Sequence, residues 1–255
     1  TIALTLSADG VNISSADTTD VDTIALANNV SATMTRAQDA KINAATGTNT
    51  VTLTDAGAVT GNANVETYVL ADGGGTTFTL GADAQSVTTG NGADTVDVGT
   101  RTATGTFTTI AADTIKLGNG ADVKGVDSGA GAGGAFTANT LELASGASVT
   151  MTAAQNNSFT SATAAGTETI AISDTNDATG LATIETYTLA AGTQTFTLGA
   201  TGQNVTADST GATGAITIDT STFTSVTGTF DDNSGDDTIA LTLSADGVNI
   251  SSADT

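Results

Sequence analysis

Proline, cysteine, histidine and tryptophan are all absent from this chain of 255 residues. Each absence closes something off. Without cysteine there are no disulfides, thiolate metal sites or thiol nucleophiles. Without histidine there is no Ser-His triad and none of the usual zinc or general-base chemistry. Average usage would bring about a dozen prolines at this length. Their loss leaves an N–H at every position, free to enter a hydrogen-bonded ladder. Positive charge is scarce too. Arg36, Lys41, Arg101, Lys116 and Lys124 stand against 27 acids, for a net charge of −22. That excludes the cationic footprint a nucleic-acid partner demands. No apolar run approaches the roughly 18 residues of a membrane span, and no charged-then-apolar leader is present.

Large apolar residues are few. Leu, Ile, Val and Phe make up 50 of 255 residues, and the 44 alanines supply nearly half of the nominal 38% hydrophobic content. A share under roughly 20% with high net charge borders on the composition of disordered chains. A single thick core is excluded at this length. The chain is either disordered or built on a thin core that needs few apolar side chains.

What is present is repetition. Thr1 to Thr18, TIALTLSADGVNISSADT, returns unchanged as Thr238 to Thr255. The chain therefore reads as one period, residues 1–237, followed by the start of the next identical period, 238–255. That arrangement is expected of a slice from a tandem array. An older duplication lies inside the period. VSATMTRAQ at Val30 to Gln38 returns as ASVTMTAAQ at Ala147 to Gln155, and VETYVL at Val65 to Leu70 returns as IETYTL at Ile184 to Leu189. TFTLG at Thr77 to Gly81 returns at Thr195 to Gly199, and Gln85-Ser86-Val87-Thr88 as Gln203-Asn204-Val205-Thr206. The unit is thus about 118 residues, in two degenerate halves: about 23–139, and 140–237 joined to 1–22 in circular register.

Within each half, apolar residues alternate with polar ones over short stretches such as Val51-Thr52-Leu53, Phe78-Thr79-Leu80 and Val96-Asp97-Val98. Period-two alternation bounded by Gly, Asp and Asn reads as strands and turns. Tyr68, Phe78, Val87 and Val96 follow one another at intervals of 10, 9 and 9. Such a rhythm, with internal repeats, predicts an all-β chain: a parallel β-solenoid with short helical insertions. Tandem β-sandwich domains of about 118 residues are the alternative, since sandwich strands recur every 8 to 12 residues. The absence of Trp and Pro favours the solenoid. Two capping boxes, Thr35-Arg36-Ala37-Gln38 and Thr152-Ala153-Ala154-Gln155, interrupt the β rhythm. The Ala-rich stretch Ala37 to Ala45 after the first has room for two helical turns, or forms a polar loop.

One local signal carries chemistry. Gly90-Asn91-Gly92-Ala93-Asp94-Thr95-Val96 resembles the glycine-and-aspartate nonapeptide of RTX calcium-binding β-rolls, with Thr89 where the first Gly of that motif stands. Glycines permit the tight turn, and carbonyls plus the Asp carboxylate are hard oxygen donors suited to Ca²⁺. Two partial copies follow. Asn233-Ser234-Gly235-Asp236-Asp237 has Asn in place of the first Gly, and Gly118-Asn119-Gly120-Ala121-Asp122 sets Lys124 where the motif's apolar residue belongs. The resemblance implies Ca²⁺ as the cofactor, with Gly90, Gly92, Asp94, Gly118, Gly120, Asp122, Asn233, Gly235 and Asp237 as candidate metal-site residues. The bland alternative is a Gly-Asp turn between strands.

Other candidates are weaker. Glu66 and Glu185 recur in V/I-E-T-Y a whole unit apart; they read as outward strand positions rather than a catalytic pair. T-x-T pairs such as Thr50/Thr52 and Thr77/Thr79 look like the Thr arrays of ice-binding solenoids, although Thr also simply suits a half-exposed strand. No catalytic residues and no enzyme are expected. Composition and repeat together resemble the Thr/Ala/Gly-rich tandem regions of large bacterial surface proteins: RTX-type adhesins, S-layer proteins and extracellular filaments. That implies a structural module of an extracellular fibre, stalk or layer. Its partners would be itself, through adjacent repeats and lateral or end-to-end assembly, and surface glycans. The alternative is a binding module for glycans or ice through Thr-rich β faces.

Overall fold

The computed structural model describes residues 1–73, 75–109, 112–128, 131–136, 140–207, 214–220, 223, 225–231, 238–243 and 249–251, with 238 and 249–251 described by their backbone alone. The chain is a parallel β-solenoid of about 11 turns, with two short helices among the described residues. Its strands are two to five residues long, and every strand pair among them is parallel.

The nine-to-ten-residue rhythm is half a turn. Tyr68 and Val87 lie side by side in one sheet, whereas Phe78 and Val96 lie side by side in another. Successive strands therefore alternate between two faces. A full turn spans 17 residues where Thr50 pairs with Thr67 and 26 where Thr114 pairs with Thr140. On one face, Ser31–Met34, Thr50–Leu53, Thr67–Val69 and Ser86–Thr88 stack in order; on the other, Ala58–Thr60, Thr77–Thr79, Thr95–Gly99, Thr114–Leu117 and Thr140–Leu143 do so.

The core is built of inward columns on two facing sheets, because alternate residues of each strand turn inward. Ala32, Val51, Tyr68, Val87 and Phe107 form a column on one sheet, with Met34 and Leu53 stacked beside it; Val59, Phe78, Val96, Ile115 and Leu141 form one on the other, with Leu117 and Leu143 beside it. Tyr68 and Phe78 meet across the turn with ring centroids 4.7 Å apart; Tyr187 and Phe196 repeat the contact at 4.7 Å. Where the turn is longest, Phe136 lies between Phe107 and Phe159, at 6.4 and 5.7 Å. Extra circumference is thus filled by rings. One or two inward side chains per strand suffice, which is how a chain poor in Leu, Ile, Val and Phe escapes disorder.

Both capping boxes form. Thr35 caps helix α1, Arg36–Asp39, and Thr152 caps helix α2, Ala153–Ser158. The room for two helical turns after Thr35 is not used: α1 is a single turn, and Ile42–Ala45 is a strand. Ile42 is an inward β-branched residue, buried to 6% exposure against the strand Thr23–Leu26. Pairing with that strand overrides the weak helical preference of the alanines.

Turns approach one another closely at matched glycines. A Cβ on Gly81 would stand 1.8 Å from the carbonyl oxygen of Gly61, and one on Gly199 1.8 Å from that of Gly180. The repeated TFTLG motif therefore ends in Gly for reasons of space. Buried glutamines plug the adjacent corners. Gln85 Oε1 accepts from the N–H groups of Gly81 and Ala82 (2.6 and 3.1 Å), and its Nε2 donates to the carbonyls of Asn62 and Val65 (2.7 and 2.9 Å). Gln203 makes the corresponding four bonds to Gly199, Ala200, Leu181 and Ile184.

Truncating Phe78 to Ala should destabilise the fold by about 3–5 kcal/mol, the usual cost of emptying a buried aromatic site. Thr79→Ala, on the outward side of the same strand, should cost within about 0.5 kcal/mol. Urea unfolding followed by circular dichroism measures both.

Candidate functional site

The calcium-like turn at Gly90 to Asp94 is built by stacking. The carbonyl of Asn91 accepts from Gly73 N, while Asn91 N and Nδ2 both donate to Asp72 Oδ1 (2.8 and 3.0 Å). Gly92 has φ +131°, a conformation L side chains avoid, and a Cβ on Gly90 would fall 2.2 Å from the carbonyl oxygen of Ala71. The glycines are thus required by the turn and by the turn beneath it.

Asp94 is directed inward and fully engaged. It is 1% exposed, and its Oδ1 accepts from Thr76 N at 2.6 Å while Oδ2 accepts from Gly90 N at 3.0 Å. Its own N–H donates to Asp113 Oδ1 at 2.9 Å, and Thr89 Oγ1 donates to Asp113 Oδ2 at 2.7 Å. A column of corner carboxylates results, each receiving backbone N–H groups of the preceding turn. Burial pushes the Asp94 carboxyl above its ordinary value; the Thr76 and Gly90 N–H groups pull against that rise.

The site around Gly118, Gly120 and Asp122 is engaged differently. Asn119 Oδ1 accepts from Ser148 N at 2.9 Å, and Gly120, at φ +83°, donates its N–H to Ser148 O. Asp122 accepts from Lys124 N at 3.1 Å and forms an ion pair with Lys124 Nζ. The lysine in the apolar position of the motif thus serves its own aspartate. Asn233, Gly235 and Asp237 lie outside the described residues. Among the described residues no group of three or more acids converges as a cation cage. At Asp94 and Asp122 the donor set does not fit a calcium shell, because N–H groups and an ammonium occupy the carboxylates.

Glu66 and Glu185 are corner residues, not outward strand positions. Each precedes its strand and turns back along the solenoid: Glu66 Oε2 accepts from Asn49 N at 2.7 Å, and Glu185 Oε2 from Glu168 N at 3.0 Å. Asp39, which no motif singles out, is more deeply placed. It is 3% exposed and accepts from Tyr68 Oη at 3.1 Å. Burial pushes its carboxyl up to about 6, against the lowering effect of the Tyr68 bond. Burial, then the nearby Asp39 charge, pushes the Tyr68 phenol up in turn.

The Thr pairs stack. Outward residues Ser31, Thr50, Thr67 and Ser86 form one column, and Asn12, Thr33, Thr52, Val69, Thr88 and Thr108 a parallel one. None is charged. On the opposite face the column through Thr60 and Thr79 continues as Asp97, Lys116 and Glu142, with Lys116 Nζ 3.1 Å from Glu142. A cleft of about 590 Å³ beside Thr79 and Gly99 holds Arg101, whose Nε donates to Leu80 O at 3.0 Å and whose Nη1 lies 3.3 Å from Asp83.

Compared with protein-family models, curated proteins and solved structures, the chain matches none.

Asp94→Asn should destabilise the protein by about 1–3 kcal/mol, because an amide N–H₂ would face the Gly90 or Thr76 N–H and leave a buried donor unpaired. Adding Ca²⁺ should not restore it, and a chelator should leave the melting curve of the unaltered protein in place. Circular dichroism with and without Ca²⁺ decides this; melting that rises with Ca²⁺ would show a cation shell at these turns.

Proposed function

We propose that the chain is a structural repeat module of a long, secreted or cell-surface bacterial fibre, stalk or layer, and that it is not an enzyme. The observation that carries this is the junction between periods. The repeated segment pairs through one edge at its first copy, Leu4 beside Ile24 and Leu6 beside Leu26. At its second copy it pairs through the other edge, Ile239 beside Ile216 and Leu241 beside Ile218. The two sets are compatible, so a strand with both neighbours would carry an apolar column from one period into the next. Ile2, Leu241 and Leu243 are the large apolar side chains exposed among the described residues, at 54, 40 and 50%. All three belong to that segment, and both sets of neighbours together would cover them.

Stacked turns add stability by nearest-neighbour contact, so identical periods extend a stalk without new design. The negative charge keeps such a stalk soluble and extended. Among the described residues no helix is long and apolar enough to cross a membrane. The partner supported here is the chain itself, in adjacent repeats. The RTX-like, adhesin and S-layer kinship and the extracellular setting rest on the composition and the repeat.

A second reading is supported by the uncharged face, where hydroxyls recur on consecutive turns at the ~4.8 Å strand spacing through Ser31, Thr50, Thr67 and Ser86, with a second column ~6.6 Å along the strands that Val69 interrupts. A flat, rigid, regular array of that kind suits an ordered partner surface, either a glycan or ice. Thr52→Tyr with Thr67→Tyr should abolish glycan retention or inhibition of ice recrystallisation under this reading, whereas Thr79→Tyr on the opposite face should not.

For the structural reading, small-angle X-ray scattering of one-period and two-period chains is the test. With about 11 turns at ~4.8 Å each, a second period should lengthen the particle by roughly 50 Å along one axis without widening it. Two lobes joined flexibly would sink it.

A further inference from the structure

Each half of the period contains a seam. On one face the ladder Ala3–Leu6, Thr23–Leu26, Ile42–Ala45 stops, and a new one starts at Ala58–Thr60. In the second half the corresponding break falls between Ser161–Thr163 and Ala178–Thr179. The opposite face runs through without interruption at both places. Both seams lie directly after a helix, α1 or α2. Side chains must close the gap that the backbone ladder leaves.

The second seam is closed by neutral groups. Asn156 Nδ2 donates to Thr179 O at 2.8 Å, and Asn157 bonds Thr179 N and Asp177 O at 2.8 and 2.9 Å. The first seam uses Asn62 Nδ2 to Ile42 O at 2.6 Å, Arg36 Nη1 to Ala58 O at 2.9 Å, and the Tyr68 Oη to Asp39 Oδ1 bond at 3.1 Å. Asp39 and Asn156 occupy the same place, each following the glutamine of its capping box. One half thus has a carboxyl where the other has an amide.

Among the described residues no cation pairs with that carboxyl. On its own helix, Arg36 is turned to Asp55 at 3.1 Å and to the Ala58 carbonyl. Lys41 donates instead to the carbonyls of Thr18 and Val21, at 2.6 and 2.9 Å. From the facing strand comes Tyr68, whose phenol also accepts from Asn62 N and feels the negative charge of Glu66. A charge at Asp39 would therefore sit buried with the Tyr68 hydroxyl as its side-chain donor and no ammonium or guanidinium turned to it, so burial outweighs the help that hydroxyl gives.

We propose that Asp39 is a proton-operated latch on the first seam: protonated, it holds α1 against Tyr68, and ionised, it leaves for water and frees α1 with the strand Ile42–Ala45. The device rests on the seam geometry and stands whether or not the array reading does. Its sign follows from burial. The carboxyl, ordinarily near 3.8, lies at about 6 in the fold, so the folded seam holds a proton that the opened seam releases. Closure is strongest below the ordinary value and weakens as pH rises through about 6.

Hydrogen exchange on the whole chain, corrected for the intrinsic pH dependence of exchange, tests this. Amides of Arg36 to Ala45 should open more readily at pH 7.5 than at pH 4, by up to about a hundredfold for a separation of roughly two pH units. Amides of α2 should not change, and Asp39→Asn should make α1 behave like α2. An equal pH response at both helices, or one that survives in Asp39→Asn, overturns the latch. Carboxyl-carbon NMR of the unaltered protein gives a reading that needs no variant: titration of Asp39 in the ordinary aspartate range would also overturn it.

Discussion

The parallel backbone ladder is the constraint on which the rest of this molecule depends. Every turn lends its N–H and C=O groups to the turns on either side, so no turn is complete alone. A residue that cannot donate would break the ladder at its own level, which gives the missing prolines a physical meaning. Since the ladder fixes the turns ~4.8 Å apart, each turn buries only one or two inward side chains per face. The low count of large apolar residues is then a consequence of geometry. It is matched by the near-zero exposure of those in the interior of the stack, such as Val51 and Ile218.

The two halves solve the core identically and the seams differently. Tyr68 with Phe78 and Tyr187 with Phe196 have the same ring separation, and Gln85 and Gln203 plug equivalent corners with four bonds each. A close-packed column tolerates little change, because neighbours above and below both feel it. At a seam the ladder makes no such demand. Asp39 faces Tyr68 in one half and Asn156 reaches Thr179 in the other, with Arg36 at the first seam and Asn157 at the second. Divergence is concentrated where side chains replace backbone bonds, which are also the places where a turn can open independently of its neighbours.

What could be read from the sequence was whatever depends on near neighbours. Alternation in Thr77 to Leu80 marks inward Phe78 because the strand period is two, and Thr35 with Gln38 marks a helix start because the capping box closes over three residues. The solenoid followed from the rhythm, yet the pairing of alternate strands into two faces did not, since it depends on partners 17 to 26 residues away. Alternation also misplaced Glu66, which sits at a corner just before its strand and bends back to Asn49. The Gly90 to Asp94 turn was legible as a turn, but not the destination of its carboxylate, because the Thr76 N–H comes from the previous level of the stack. Asp39 was illegible altogether: its partner Tyr68 is 29 residues on.

The excess of acids, which could equally signal a calcium demand or mere solubility, gains a third cause from the corners. A chain without proline carries an N–H through every turn, including those positions where the ladder offers no carbonyl to receive it. Such a group left unpaired costs about 1–3 kcal/mol when buried. Carboxylates are acceptors only, with room for several donors each, and so are well matched to this need. Asp94 receives Thr76 and Gly90, Asp113 receives Asp94, Glu66 receives Asn49, Glu185 receives Glu168, Asp9 receives Ser31, and Asp177 receives Thr195. Asn49 and Asn204 do the same work without charge, for Val30 and Thr229. Much of the −22 is therefore the residue of finding acceptors for a proline-free backbone. By this argument many of the acids are already engaged by the chain's own N–H groups: a cation drawn to the buried corners at Asp94 and Asp113 would compete with N–H groups the fold needs.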